Sequence, residues 1–168
     1  MLATFLVQYP WVAPVALLGF ALVSPFTGWW LLPRRRVTGA LLIAAVVAVL
    51  AFVFFPTGRT LTVSCQVEWV LPVPGVVEPF ANVVLFVPAV FLAALLTRRP
   101  LTAAAFGVVG AALIEAMQAL LPTLGRSCST GDWLANSIGA LIAAGLAWIA
   151  RASAARVAHA RQRRGALT

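Results

Sequence analysis

The 168-residue sequence contains no lysine, one histidine, two cysteines and only four acidic residues. Charged residues of both signs make up 10% of it, where a soluble domain carries roughly 25%. That shortage excludes an ordinary water-soluble globule, because 62% of the residues are hydrophobic and one core of this length could not hide them. A single histidine and two separated cysteines offer no donor set for a metal centre, and no cofactor is expected. No Ser/His/Cys nucleophile arrangement stands out. No basic residue precedes Arg34, so the positive n-region of a secretory signal is missing and the first apolar run is expected to be retained as a helix. Without an internal repeat there is no obvious alternating-access device, which argues against a transporter. Without a low-complexity linker the chain reads as one membrane domain with small additions at its ends.

What the sequence has is apolar length, with a mean hydropathy of +1.01. Five runs are long enough to cross a bilayer as helices: 11–32, 37–55, 81–97, 101–121 and 133–150. Pro14 and Pro25 fall in the first and Pro88 in the third, which membrane helices tolerate. The expected fold is therefore an all-α polytopic transmembrane bundle of about five helices. The lipid bilayer is its expected partner.

All basic side chains except the histidine are arginine. Arg34, Arg35 and Arg36 follow the first run, Arg98 and Arg99 the third, and Arg151, Arg156, Arg161, Arg163 and Arg164 the fifth. Only Arg59 and Arg126 fall in the other connections. Arginine marks cytoplasmic loops, so the spacing predicts an external N-terminus and a cytoplasmic tail. The same placement explains a pI near 11.7 as topology rather than nucleic-acid binding, and no nucleic-acid partner is expected. The tail reads as an anchor resting on anionic lipid. Residues 56–80 read as an irregular outer loop with a short interfacial turn around Trp69.

Cys65 and Cys128 fall in different external loops, where a disulfide could persist and tie the long loop to the last connection. All four acids, Glu68, Glu78, Glu115 and Asp132, lie outside or near the outer face. Glu115 sits inside the fourth run, six residues or about 9 Å below its end, and an acid there is a functional candidate by default. Gln118 shares its helical face. Asp132, Asn136 and Gly139 share a face of the fifth run, with Gly139 allowing close helix approach and Asp132 placed to cap the helix. Arg126, in the intervening loop, is positioned to pair with Glu115 or Asp132. Asn82 near the start of the third run is a further candidate. Together these residues form either a polar pocket open to the outer leaflet or a clasp between the last two helices.

This pattern resembles the VanZ-like family of bacterial membrane proteins. The resemblance lies in Glu115-x-x-Gln118, Arg126, Asp132 and Asn136-x-x-Gly139, within EAMQALLPTLGRSCSTGDWLANSIG, and in NVVLFVPA from Asn82, preceded by Pro79-Phe80. It covers residues 37–150. Residues 1–36 look like an additional N-terminal helix with its arginine turn, and 151–168 like a basic tail. Where the family often carries an acid between its Arg and Asp, this chain has Ser129. The resemblance implies a multi-pass protein of the bacterial cytoplasmic membrane and cell envelope, with founding members linked to resistance to teicoplanin-type glycopeptides.

Three functions are therefore in play. The first is an envelope protein whose polar pocket engages an amphiphilic ligand, such as a lipoglycopeptide or a lipid-linked wall precursor. The second is an intramembrane enzyme acting on a lipid-linked head group, with Glu115 or Asp132 moving protons. The third is a scaffold in which the polar residues only hold helices together.

Overall fold

The computed structural model describes residues 2–57 and 65–165; Arg59 lies outside them. Its elements are α1 (Leu2–Gln8), α2 (Val12–Leu31), α3 (Arg35–Phe54), β1 (Cys65–Gln66), α4 (Val77–Thr97), α5 (Pro100–Leu120), a 3₁₀ turn (Pro122–Leu124), β2 (Cys128–Ser129) and α6 (Thr130–Gly165). Five of the helices are long and apolar enough to cross a membrane: α2, α3, α4, α5 and α6. The expected all-α polytopic bundle is what forms.

Helix α4 is the centre. It packs most extensively on α6, and also on α3, α5 and α2, while α6 holds α5 and α2 on its other sides. The seam of α6 is made of small residues: Ala135, Ala140, Ala143, Ala147 and Ala150 are all fully buried. Small residues let backbones approach closely where lipid removes any hydrophobic drive between helices. Gly139 is the closest approach. A Cβ there would overlap the main-chain carbonyl of Val83 on α4. The large side chains pointing away from this seam, such as Leu22, Phe26, Ile43 and Phe106, are exposed and face lipid.

Helix α2 runs unbroken through Pro25, which cannot donate to the Ala21 carbonyl. The Ser24 hydroxyl donates to that carbonyl at 2.9 Å instead, so no backbone acceptor is stranded in the apolar layer. The α2–α3 turn is tied by buried Thr38, whose hydroxyl is within bonding distance of the Leu31 and Arg34 carbonyls at 3.0 and 3.1 Å. Arg34 reaches back to the Trp30 carbonyl at 2.7 Å and lies over the Trp30 ring. Trp29 and Trp30 mark this arginine-rich end together with Trp148. Trp11, Trp69 and Trp133 mark the opposite end, two aromatic belts of the kind that sit at bilayer surfaces.

Two helices differ from the sequence-based bounds. Helix α4 begins at Val77 rather than residue 81. Pro79 fits a first helical turn, and Glu78 beside it faces the positive end of the helix dipole, so residues read as loop are helical. Helix α6 begins at Thr130 and runs to Gly165 rather than stopping at 150. The tail is thus a continuation of a spanning helix. Residues 151–164 contain no Gly or Pro and are rich in Ala and Arg, both strong helix formers. The segment from Cys65 to Val76 has no turn at Trp69. It carries instead the two-residue strand β1, paired parallel with β2.

Candidate functional site

The candidate residues gather at the end of the bundle opposite the arginine turns. The chain is fastened there by the Cys65–Cys128 disulfide, whose Cα atoms lie 4.5 Å apart. The bridge joins the directly paired residues of β1 and β2, with Gln66 opposite Ser129. Just past it, Thr130 clamps the loop twice. Its hydroxyl donates to the Glu68 carbonyl at 2.7 Å, and the Glu68 N–H donates back at 2.8 Å. Trp69 then meets the edge of the Trp133 ring at 6.4 Å between centroids.

Ser129 is the hub, although in the sequence it stands out only as a departure from the family's usual acid. As the residue before α6 it caps the helix: its hydroxyl oxygen accepts from Gly131 N–H at 3.0 Å and lies 3.4 Å from Asp132 N–H. The same hydroxyl donates to the Glu68 carboxylate at 3.1 Å. Its own N–H donates to buried Glu115 Oε2 at 2.9 Å. The signal was present, since Ser129-Thr130-Gly131-Asp132 has the spacing of a capping box ahead of an apolar run. In an ordinary capping box the acid at the third position accepts the cap's N–H. Here Glu115, from α5, takes that place. Asp132 is therefore not the cap. Its Oδ1 accepts instead from Asn82 Nδ2 of α4 at 2.7 Å. Two carboxylates, Glu68 and Glu115, thus converge on the positive N-terminus of a 36-residue helix, which favours negative charge.

Arg126 stands apart from this cluster. Among the described residues it pairs with neither Glu115 nor Asp132. Its Nε faces the Phe55 carbonyl at 3.4 Å, beyond the end of α3, while Gln118 Nε2 donates to Val53 O in the last turn of α3 at 3.2 Å. Terminal helix carbonyls have no intrahelical partner and carry the negative end of the dipole, so a guanidinium and an amide are the groups that suit them. Thr57 adds bonds to the Leu124 and Gly125 carbonyls. The residues expected to make one pocket therefore form two clusters. One surrounds the start of α6 (Glu115, Asp132, Asn82, with Ser129 and Glu68), and the other covers the end of α3 (Gln118, Arg126, with Thr57).

Asn136 lies one turn below Asp132, on the face of α6 that Gly139 presses against Val83. It is 97% buried, given an exposure of 3%. Its Oδ1 is the one buried side-chain N or O atom among the described residues with no hydrogen-bond partner. Among the described residues no group of three or more His, Cys, Asp or Glu could hold a metal ion.

Five apolar helices, joined at one end by side-chain bonds and at the other by arginine turns, define a multi-pass membrane protein. The VanZ/LLP1 family profile matches residues 41–151, and the chain belongs to that family. The match begins inside α3, so α1 and α2 precede it. No curated protein and no solved structure matches the chain.

Proposed function

We propose that the chain is a VanZ-like protein of the bacterial cell envelope that engages the polar part of an amphiphile at the outer face of the cytoplasmic membrane. Teicoplanin-type lipoglycopeptides and lipid-linked wall precursors are the candidate ligands. The observation that carries this reading is the Asn136 acceptor. Asn82, Asp132, Glu115 and Ser137 are bonded within the protein, whereas Asn136 Oδ1 is buried without a partner. Leaving such a group unpaired costs about 1–3 kcal/mol, and a leucine would avoid that cost. An acceptor kept at that expense is suited to a donor that arrives with a ligand.

A purely structural role also has a specific observation behind it. Glu115–Ser129, Gln118–Val53 and Asp132–Asn82 each join different elements, as a clasp would. The two readings part under substitution. Wild type, Asn136→Leu and Glu115→Gln are expressed in a strain lacking the protein, and membrane abundance is measured beside teicoplanin susceptibility. Ligand engagement predicts that Asn136→Leu keeps or raises abundance and abolishes the wild-type effect on susceptibility. Glu115→Gln keeps an acceptor for Ser129 N–H, so it should retain most of both; loss of the effect at normal abundance would point to proton transfer by Glu115. An Asn136→Leu protein as active as wild type would remove the basis of the proposal. A wild type without effect would exclude teicoplanin as the ligand.

A further inference from the structure

Helices α3 and α5 both pack on α4 but splay apart from each other, and the space between them is an apolar groove of about 420 Å³. Its lining includes Phe86, Ala89 and Val90 of α4, Gly110 of α5, and Leu42 and Val46 of α3. It runs along α3 from Leu42 to Phe54, twelve residues or about 18 Å at 1.5 Å per residue. The hydrocarbon of one leaflet is about half of a ~30 Å core, so the groove is slightly longer than one leaflet is deep. Its side is open to the bilayer.

The two ends of the groove differ in charge. At the disulfide end it stops at Phe54 and Met117, the neighbours of Phe55 and Gln118, and the Phe55 carbonyl is the group that holds half-buried Arg126. At the other end it stops at Leu42, six residues or about 9 Å from Arg36, and at Ala103, four residues or about 6 Å from Arg99. The guanidinium at the disulfide end of the groove is Arg126, on the side where the head groups of that leaflet would lie. A cation at the mouth of a chain-length apolar slot matches an anionic amphiphile in both of its parts.

We infer that the α3–α5 groove seats one acyl chain of an anionic phospholipid from the leaflet on the disulfide side, with Arg126 against the phosphate. The inference shares with the proposed function the idea of an amphiphile at this face, but it does not use Asn136. The two can fail separately.

Native mass spectrometry of the delipidated full chain tests it, with phosphatidylglycerol and phosphatidylcholine of equal chain length as probes. Wild type should retain one phosphatidylglycerol over phosphatidylcholine by about fivefold, the value of one arginine against an anionic lipid surface. Gly110→Leu fills the groove, and its Cβ has nothing within 4 Å to clash with, so the folded variant should retain neither lipid. Arg126→Gln should keep a bound lipid and lose the preference. Asn136→Leu should bind like wild type. Equal retention of the two lipids by wild type, undiminished retention by Gly110→Leu, or a preference that survives Arg126→Gln and disappears in Arg99→Gln would each overturn the inference.

Discussion

Ser129 shows how much one residue can carry in a membrane protein. Its hydroxyl and N–H connect the start of α6 to α5 and to the loop carrying Glu68, and its N–H is taken by Glu115, in the place that an ordinary capping box assigns to Asp132. Asp132 is thereby released to accept from Asn82 and pull α4 onto α6. Gly139 matters for the opposite reason, because it contributes nothing beyond Cα. With the Val83 carbonyl occupying the space where a Cβ would go, Gly139→Ala must push α6 away from α4. Strain of that kind typically costs about 1–3 kcal/mol. We expect Gly139→Ala to lower the thermal unfolding midpoint of the detergent-solubilised protein, and Gly145→Ala, where a Cβ meets nothing, to leave it unchanged.

At the scale of elements, the disulfide decides how the loop carrying β1 sits. Strands β1 and β2 are only two residues each, and such a pair is too short to persist by its own hydrogen bonds. Closing a loop of 63 residues restricts the unfolded chain, and disulfides of this kind typically contribute about 2–4 kcal/mol. The Cys65→Ala/Cys128→Ala double variant should therefore unfold at a lower temperature than wild type under non-reducing conditions. Under reducing conditions the difference should vanish. Equal midpoints in both conditions would mean that β1 is held by Thr130 and the Trp69–Trp133 contact alone. Helix α6, at 36 residues and about 54 Å, exceeds the ~30 Å hydrocarbon core, so its arginine-bearing last turns extend beyond the membrane.

For the whole molecule, orientation is the property on which the functional reading depends. Arg34, Arg35, Arg36, Arg98, Arg99 and Arg151 all lie at one end of the bundle, which the positive-inside rule predicts to be the cytoplasmic one. A membrane-impermeant maleimide should label a cysteine at Ser127 in intact cells and leave one at Ala152 unlabelled until the membrane is opened, in a background with Cys65 and Cys128 replaced. The reverse labelling would put the disulfide end in the cytoplasm and end the outer-leaflet reading.

Much of this protein was legible in its sequence, and for a definite reason. Membrane residence, the five spans, the arginine asymmetry and the shared face of Asp132, Asn136 and Gly139 follow from local apolar length, charge placement and helical periodicity, each a property of a short window. With only two cysteines, one intramolecular pairing was available. Bounds failed where local chemistry ran against hydropathy: Pro79 starts α4 from within a loop-like stretch, and the polar Ala/Arg tail is helical despite leaving the bilayer. The tertiary structure alone decided who bonds with whom. Glu115 accepts from Ser129, Asp132 from Asn82, and Arg126 turns to Phe55 rather than to either acid, because the partner of a buried polar group is set by whichever helix end lies opposite it. That placement, and the groove left where α3 and α5 diverge, arises from the packing of five helices on one another and is encoded in no single stretch of the chain.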